Sequence, residues 1–137
     1  MGKTWEEAAA AATGPGGPYE IALADVLGRR TKVFKNTAPS LRALFDGARA
    51  RGDETFLVYE DERWSFADTM ARVDALGAAL AARGVGVGDR VAIAMRNYPE
   101  WVVSFAAITS IGAISVSMNA WWTADELDYA LGDCGAR

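Results

Sequence analysis

The sequence predicts an α/β fold in which parallel β-strands carry flanking helices, and three observations carry that expectation. No charged residue lies between Glu100 and Asp125, and the stretch Trp101 to Ala124 changes character midway. From Trp101 to Ile111 its apolar residues fall nearly all round a helical wheel, whereas Ile114-Ser115-Val116 is a short β-branched run. Gly112 sits at the join, where a helix closes on a left-handed residue. Upstream, Gly88-Asp89-Arg90-Val91-Ala92-Ile93 reads as the entry to another buried strand. The resulting order of strand, helix and strand, with almost no polar outer face, is that of a parallel sheet. An uncharged run of this length also admits a membrane span, but Ser104, Thr109, Ser110, Ser115, Ser117 and Asn119 interrupt it, and a soluble chain is expected.

The remaining elements follow from caps and periodicity. Thr4-Trp5-Glu6-Glu7 is a capping box opening an alanine run to Ala12, which Gly14-Pro15-Gly16-Gly17-Pro18 then breaks; residues 1–18 are expected to be a leader helix on a flexible Gly/Pro joint. Tyr19, Ile21 and Leu23 alternate, and Val33-Phe34 follow a polar Arg29-Arg30-Thr31-Lys32 corner, which suggests a peripheral hairpin over Tyr19 to Lys35. Ser40 caps a helix with Leu41, Leu44, Phe45 and Ala48 on one face, ending before Gly52. Phe56 to Trp64 is a second hairpin turning at Glu60-Asp61-Glu62. Ser65, with Asp68 three residues on, caps a long helix to about Arg83 whose stripe is Phe66, Met70, Val73, Leu76 or Gly77, and Leu80.

Gly84-Val85-Gly86-Val87-Gly88-Asp89 superficially has the look of a dinucleotide loop. A phosphate loop needs a strand before it and a helix after it. Here the order is reversed, so the run is read as a glycine helix stop and turn into a strand from Arg90 to Met95. Pro99 and Glu100 suit the first turn of the next helix. A second capping box, Thr123-Ala124-Asp125-Glu126, opens a final helix with Leu127, Ala130, Leu131 and Cys134 inward.

Composition narrows the function. A length of 137 residues suits one domain, and 14 Lys+Arg against 18 Asp+Glu give a net charge of -4. With no basic run, non-specific nucleic-acid binding is excluded as the role. The single cysteine, Cys134, allows no intrachain disulfide, and the absence of histidine removes the commonest general base and metal ligand. The N-terminus lacks the basic-then-apolar form of a signal peptide, so a cytoplasmic location is expected. Asp61-Glu62 reads as a turn pair, Asp125-Glu126 as a capping box, Arg29-Arg30 as a solvated corner and Cys134 as a small buried apolar residue.

Trp64-Ser65-Phe66-Ala67-Asp68, Gly84 to Ile93, Asn97-Tyr98-Pro99-Glu100-Trp101, Gly112-Ala113-Ile114, Asn119, Thr123 to Leu127 and Asp133 to Arg137, in this order and spacing, resemble the opening of the acyl-CoA synthetases of the AMP-forming adenylating superfamily. The similarity covers roughly Ser40 to Arg137. Val33-Phe34-Lys35-Asn36 and Asn119-Ala120-Trp121-Trp122 further resemble the long- and medium-chain fatty-acid ligases of actinobacterial type. Two departures stand out: Ser117 replaces the family's usual proline, making that loop less rigid, and Trp121-Trp122 is heavier than the general pattern.

The resemblance implies a parent enzyme that joins a fatty acid or other small carboxylate to ATP as an acyl-adenylate and then passes the acyl group to coenzyme A, with Mg, ATP and CoA as cofactors. It implies that residues 19–137 are the N-terminal subdomain of the adenylating domain, truncated before the ATP-binding loop. The Ser/Thr/Gly-rich loop ending in Lys and the lid lysine are not in this chain, whose last lysine is Lys35. The chain alone is therefore expected to be inactive, with no tight cofactor binding and no catalytic or metal-binding residue. Asn119, Ala120 and Trp121 are the candidate CoA-side loop. Packing of the indoles under the following helix is the bland alternative for Trp121-Trp122, and self-association through an exposed edge is a further expectation. A naturally short, non-catalytic binding or dimerisation module with the same fold is the alternative to a ligase fragment.

Overall fold

The computed structural model describes residues 2–136. The chain divides at Pro39/Ser40 into two units.

In the first unit, Thr4 opens α1 (Trp5–Thr13) through a complete capping box: its Oγ1 accepts from the Glu7 amide at 3.2 Å, and its own amide donates to Glu7 Oε2 at 2.9 Å. The expected joint at Gly14–Pro18 is a hydrogen-bonded turn, with the Tyr19 amide donating to Ala12 O and the Gly16 amide to Glu20 Oε2. The hairpin belongs to the same compact unit as the helix, and that unit ends at Pro39. Strands β1 (Ile21–Val26) and β2 (Arg29–Phe34) pair antiparallel from Ile21↔Phe34 to Val26↔Arg29. Arg29 to Lys32, expected as a corner, are strand residues. The turn is Leu27-Gly28, both at positive φ (51° and 78°), and Asp25 Oδ1 accepts the Gly28 amide at 2.9 Å. A two-residue turn of this hand matches strand twist, and the chain marks it with Leu-Gly instead of the usual Asn-Gly.

Among the described residues, every buried one lies in the second unit. Ser40 caps α2 (Leu41–Ala48) by accepting the Ala43 amide at 3.1 Å, and a 3-10 turn (Arg49–Arg51) follows. The face expected to be covered there is partly open, with Leu41 and Leu44 exposed. Hairpin strands β3 (Thr55–Tyr59) and β4 (Glu62–Ser65) lead into α3 (Phe66–Ala82), where Ser65 Oγ accepts the Asp68 amide. Then come β5 (Arg90–Ile93), α4 (Pro99–Ser110), β6 (Ile114–Ser117) and α5 (Ala124–Cys134). The Gly84–Asp89 run is the helix stop and turn that its position between α3 and β5 predicts, with Gly84 and Gly88 at positive φ.

Strands β5 and β6 pair in parallel from Arg90↔Ile114 to Ile93↔Ser117, and α4 is the crossover. Helices α3 and α4 pack on each other through Met70, Val73, Val103, Ala106 and Ala107. Ile108 and Ala113 join Ile93 in an adjoining cluster that seats α4 against the sheet. The polar residues inside α4 return their hydroxyls to the backbone, Ser104 Oγ to Glu100 O and Thr109 Oγ1 to Phe105 O, each at 2.7 Å, so burial leaves them satisfied. Thr69, fully buried in α3, likewise donates to Ser65 O at 2.7 Å. Among the described residues, no helix is long and apolar enough to cross a membrane. Helix α5 is sparsely covered: its capping box is complete, but Leu127, Ala130 and Cys134 are only half-buried and Leu131 is exposed. Cys134, expected to be buried, donates its thiol to Leu131 O at 3.6 Å.

Candidate functional site: a cleft at the carboxyl ends of the parallel strands

Both parallel strands stop earlier than their apolar runs suggest, at Ile93 instead of Met95 and at Ser117 instead of Met118. The residues released this way form two loops side by side, Met95–Tyr98 after β5 and Met118–Trp121 after β6. Together with Tyr59 at the end of β3 and Trp101 in the first turn of α4, they line a cleft of about 610 Å³. In open α/β sheets, ligands bind outside the carboxyl ends of the strands, where successive loops diverge. The cleft occupies that position.

Its walls are fixed by short-range bonds. The Met118 amide donates to Ile93 O at 3.0 Å, extending the ladder one step and setting where the second loop departs. Asn119 then organises that loop: its Oδ1 accepts the Trp121 amide at 3.0 Å, and its carbonyl accepts the Trp122 amide at 3.2 Å. This side-chain turn is one that Asn forms readily. It throws the two indoles apart. Trp121 turns to the cleft and is 75% exposed, while Trp122 lines a separate groove of about 420 Å³ between β6 and α5 with Val116, Met118, Tyr129, Ala130 and Cys134.

From the first loop, the Arg96 guanidinium lies over the Trp121 ring at 3.8 Å from its centroid. A stacked guanidinium is held in place by the ring while keeping its charge. Tyr98 meets Tyr59 edge-on, centroids 5.4 Å apart, and Trp101 stacks on Phe105 behind them. Half-burial pushes the Tyr59 phenol above its ordinary value, the Glu60 carboxylate adds to the effect, and Arg96 opposes it. Tyr59 therefore remains a neutral hydrogen-bond donor well past pH 7. The lining combines one cation, two amides at Asn97 and Asn119, two phenols at Tyr59 and Tyr98, the Ser117 hydroxyl and aromatic surface, and among the described residues it contains no carboxylate. Such a set holds a flat or anionic group. It does not suit a hard divalent cation, which takes oxygen donors and chiefly carboxylates.

The three sequence-predicted residues, Asn119, Ala120 and Trp121, all line this cleft. Arg96, Asn97, Tyr98 and Tyr59 were not singled out as site residues from the sequence. Their signal would have been position: Arg96 and Asn97 stand just past the first of two parallel strands. Asp61 and Glu62 lie outside the cleft, with Glu62 in β4 accepting the Trp64 indole N–H at 2.9 Å. Glu126 accepts both the amide and the hydroxyl of Thr123, which hold its carboxyl below the usual range. Among the described residues, no group of three or more His, Cys, Asp or Glu is placed to hold a metal ion.

The family model described as AMP-binding enzyme matches residues 44–137. The chain belongs to the AMP-binding enzyme family. Among curated relatives, the medium/long-chain-fatty-acid–CoA ligase FadD6 of Mycobacterium tuberculosis is 37% identical over 103 residues, 74% of this chain and 17% of the relative. A long-chain-fatty-acid–CoA ligase of Bacillus subtilis is 33% identical over 90 residues, 66% of this chain and 16% of the relative. Among solved structures, the anthranilate CoA ligase AuaEII in complex with anthranoyl-AMP superposes with a TM-score of 0.69 at 29% identity, over 74% of this chain and 20% of that one. The chain thus spans about a sixth of the length of these curated family members. The α/β arrangement is that of the N-terminal part of an adenylating domain, incomplete as the sequence implied.

Proposed function

We propose that this AMP-binding family chain is the N-terminal part of an ATP-dependent carboxylate–CoA ligase of cytoplasmic location, residues 19–137 belonging to the adenylating domain. The parent enzyme, on this reading, forms an acyl-adenylate from a fatty acid or other small carboxylate and transfers the acyl group to coenzyme A. The observation that carries the proposal is the cleft at the carboxyl ends of β5 and β6, in a chain whose curated relatives include CoA ligases.

Within the parent, the loop Asn119-Ala120-Trp121 forms part of the CoA side of the site. When bound, coenzyme A supplies the thiol that accepts the acyl group. This chain's residues bind and orient. The stacked Arg96 presents a fixed positive charge suited to a phosphate, Trp121 offers an aromatic face, and the Asn97 and Asn119 amides offer paired donors and acceptors. ATP and Mg are held by parts of the parent outside this chain. The cleft lining has no carboxylate for Mg, and no Ser/Thr/Gly-rich run here ends in a lysine. The groove between β6 and α5, with the free edge of β6, is the proposed route of self-association when the chain stands alone.

Two measurements test this. The isolated chain is expected to show no fatty-acid-dependent exchange of pyrophosphate into ATP, and a product extended through the downstream reading frame is expected to show exchange and acyl-CoA formation. An extended protein that adenylates an acid but transfers it only to a carrier thiol would overturn the CoA assignment. Exchange by the isolated chain would overturn the division of labour.

A further inference from the structure

The two loops that wall the cleft are fixed by different means. After β5, the Tyr98 amide donates to Arg96 O at 2.7 Å and the Trp101 amide to Tyr98 O at 3.0 Å, and the Tyr98 ring rests edge-on against Tyr59. Arg96 therefore projects from a tight turn that runs straight into α4. After β6, the loop is anchored at its ends, where the Met118 amide donates to Ile93 O at 3.0 Å and the Thr123 amide to Glu126 Oε2 at 2.7 Å. Between those anchors, two hydrogen bonds hold the backbone among the described residues, and both end on Asn119: its Oδ1 accepts the Trp121 amide and its carbonyl the Trp122 amide. A proline would restrain the start of this loop through its fixed φ, but Ser117 stands there instead. The path of the loop rests on one residue.

Trp121 is where that dependence matters. At 75% exposure, little packing holds its ring, and an unpacked side chain keeps its rotamer freedom unless something else removes it. The Asn119 turn fixes the backbone from which the indole projects, and the Arg96 guanidinium, 3.8 Å from the ring centroid, covers one face. Stacking orders the long arginine stem at a cost in rotamer freedom, which is smallest to recover when the ring already stands in place. Asn119 puts it there. A site assembled before its ligand arrives avoids paying for that order at the moment of binding.

We propose that Asn119 is chiefly a positioning residue, which sets the affinity for coenzyme A by holding Trp121 against Arg96. This rests on the CoA reading of the cleft and assigns Asn119 a role exerted through two other side chains. The test is a double-mutant cycle in the extended protein, read as KM for coenzyme A, together with nuclear magnetic resonance of the isolated chain. Asn119→Ala is expected to raise that KM about fivefold, with kcat and fatty-acid-dependent pyrophosphate exchange within about twofold of wild type. In a Trp121→Ala background the same substitution is expected to add less than about twofold, because the residue it acts through is already gone. In the isolated chain, Asn119→Ala is expected to speed hydrogen exchange at the Trp121 amide about fivefold and to move the Arg96 side-chain resonances, displaced by the indole ring current, toward their positions in Trp121→Ala. A full fivefold effect in the Trp121→Ala background would make Asn119 a direct ligand contact and overturn the proposal. Arg96 resonances left in place by Asn119→Ala would overturn it too. A KM unmoved by Trp121→Ala, with those resonances shifted by Asn119→Ala, would instead overturn the CoA reading and with it the effect on affinity, while the geometry of the loop stands.

Discussion

Truncating Ile108 to Ala examines the packing on which the cleft depends, because this side chain joins α4 to the parallel pair. Ile108 is 2% exposed and clusters with Ile93 of β5 and Ala113 at the entry to β6. The substitution removes three carbons, about 2.4 kcal/mol at roughly 0.8 per methylene, and the neighbours can relax only partly into the space, so a total of about 3–4 kcal/mol is expected. Against a typical stability of 5–15 kcal/mol, this is a large fraction. Leu44→Ala on α2 is the internal control: at 56% exposure it has little burial to lose, and a change under about 1 kcal/mol is expected. Urea unfolding followed by far-ultraviolet dichroism and by indole fluorescence measures both, with the slope against urea unchanged. An Ile108→Ala cost below about 1 kcal/mol, or one no larger than that of Leu44→Ala, would refute the placement of the core between α4 and the β5–β6 sheet.

Further expectations follow from the same geometry. Gly112 holds φ at 82°, and a Cβ built there would stand 2.9 Å from Val87 Cγ2, so Gly112→Ala is expected to cost about 2 kcal/mol or more by thermal denaturation. Arg49 donates to both oxygens of Asp74, at 2.6 and 2.9 Å, and holds that carboxyl below its ordinary value. A depressed carboxyl contributes stability above its unfolded pKa and loses it as pH falls through the folded one. Because the pair is well exposed, Asp74→Asn is expected to cost under about 1 kcal/mol at pH 7, with the difference from wild type shrinking only as pH falls below about 4 and gone once pH is below the lowered folded value. The Tyr59 phenol is expected to titrate above ordinary tyrosine in ultraviolet difference spectra, and closer to it in Glu60→Gln, since that carboxylate adds to the rise.

What the sequence made legible was local chemistry. Thr4, Ser65 and Thr123 announced their helices because a cap needs only a hydroxyl and a residue three positions on, and each makes that bond in the fold. The strand–helix–strand order of β5, α4 and β6 was readable because a buried helix and a buried strand differ in period and Gly112 marks their join. The first hairpin was harder to place. Its turn uses Leu27, a residue that gives no turn signal, so in the sequence the polar Arg29–Lys32 run reads as the corner. The extent of α5's burial was likewise hidden, since an amphipathic pattern names a face without saying what covers it. In the cleft, Asn119, Ala120 and Trp121 came from family resemblance. Arg96 and Tyr59 were not found, because only parallel pairing brings the loop after β5 beside the loop after β6, and the β3 end beside both.

The central claim is that this cleft serves the CoA side of a ligase, and steady-state kinetics of the extended protein test it most directly. Arg96→Gln and Trp121→Ala are expected to raise KM for coenzyme A about tenfold or more each, as the loss of a charge-assisted contact and an aromatic face would, while fatty-acid-dependent pyrophosphate exchange stays within about twofold of wild type. Impaired exchange with an unchanged KM for coenzyme A would contradict the assignment and move the cleft to the adenylation half of the reaction.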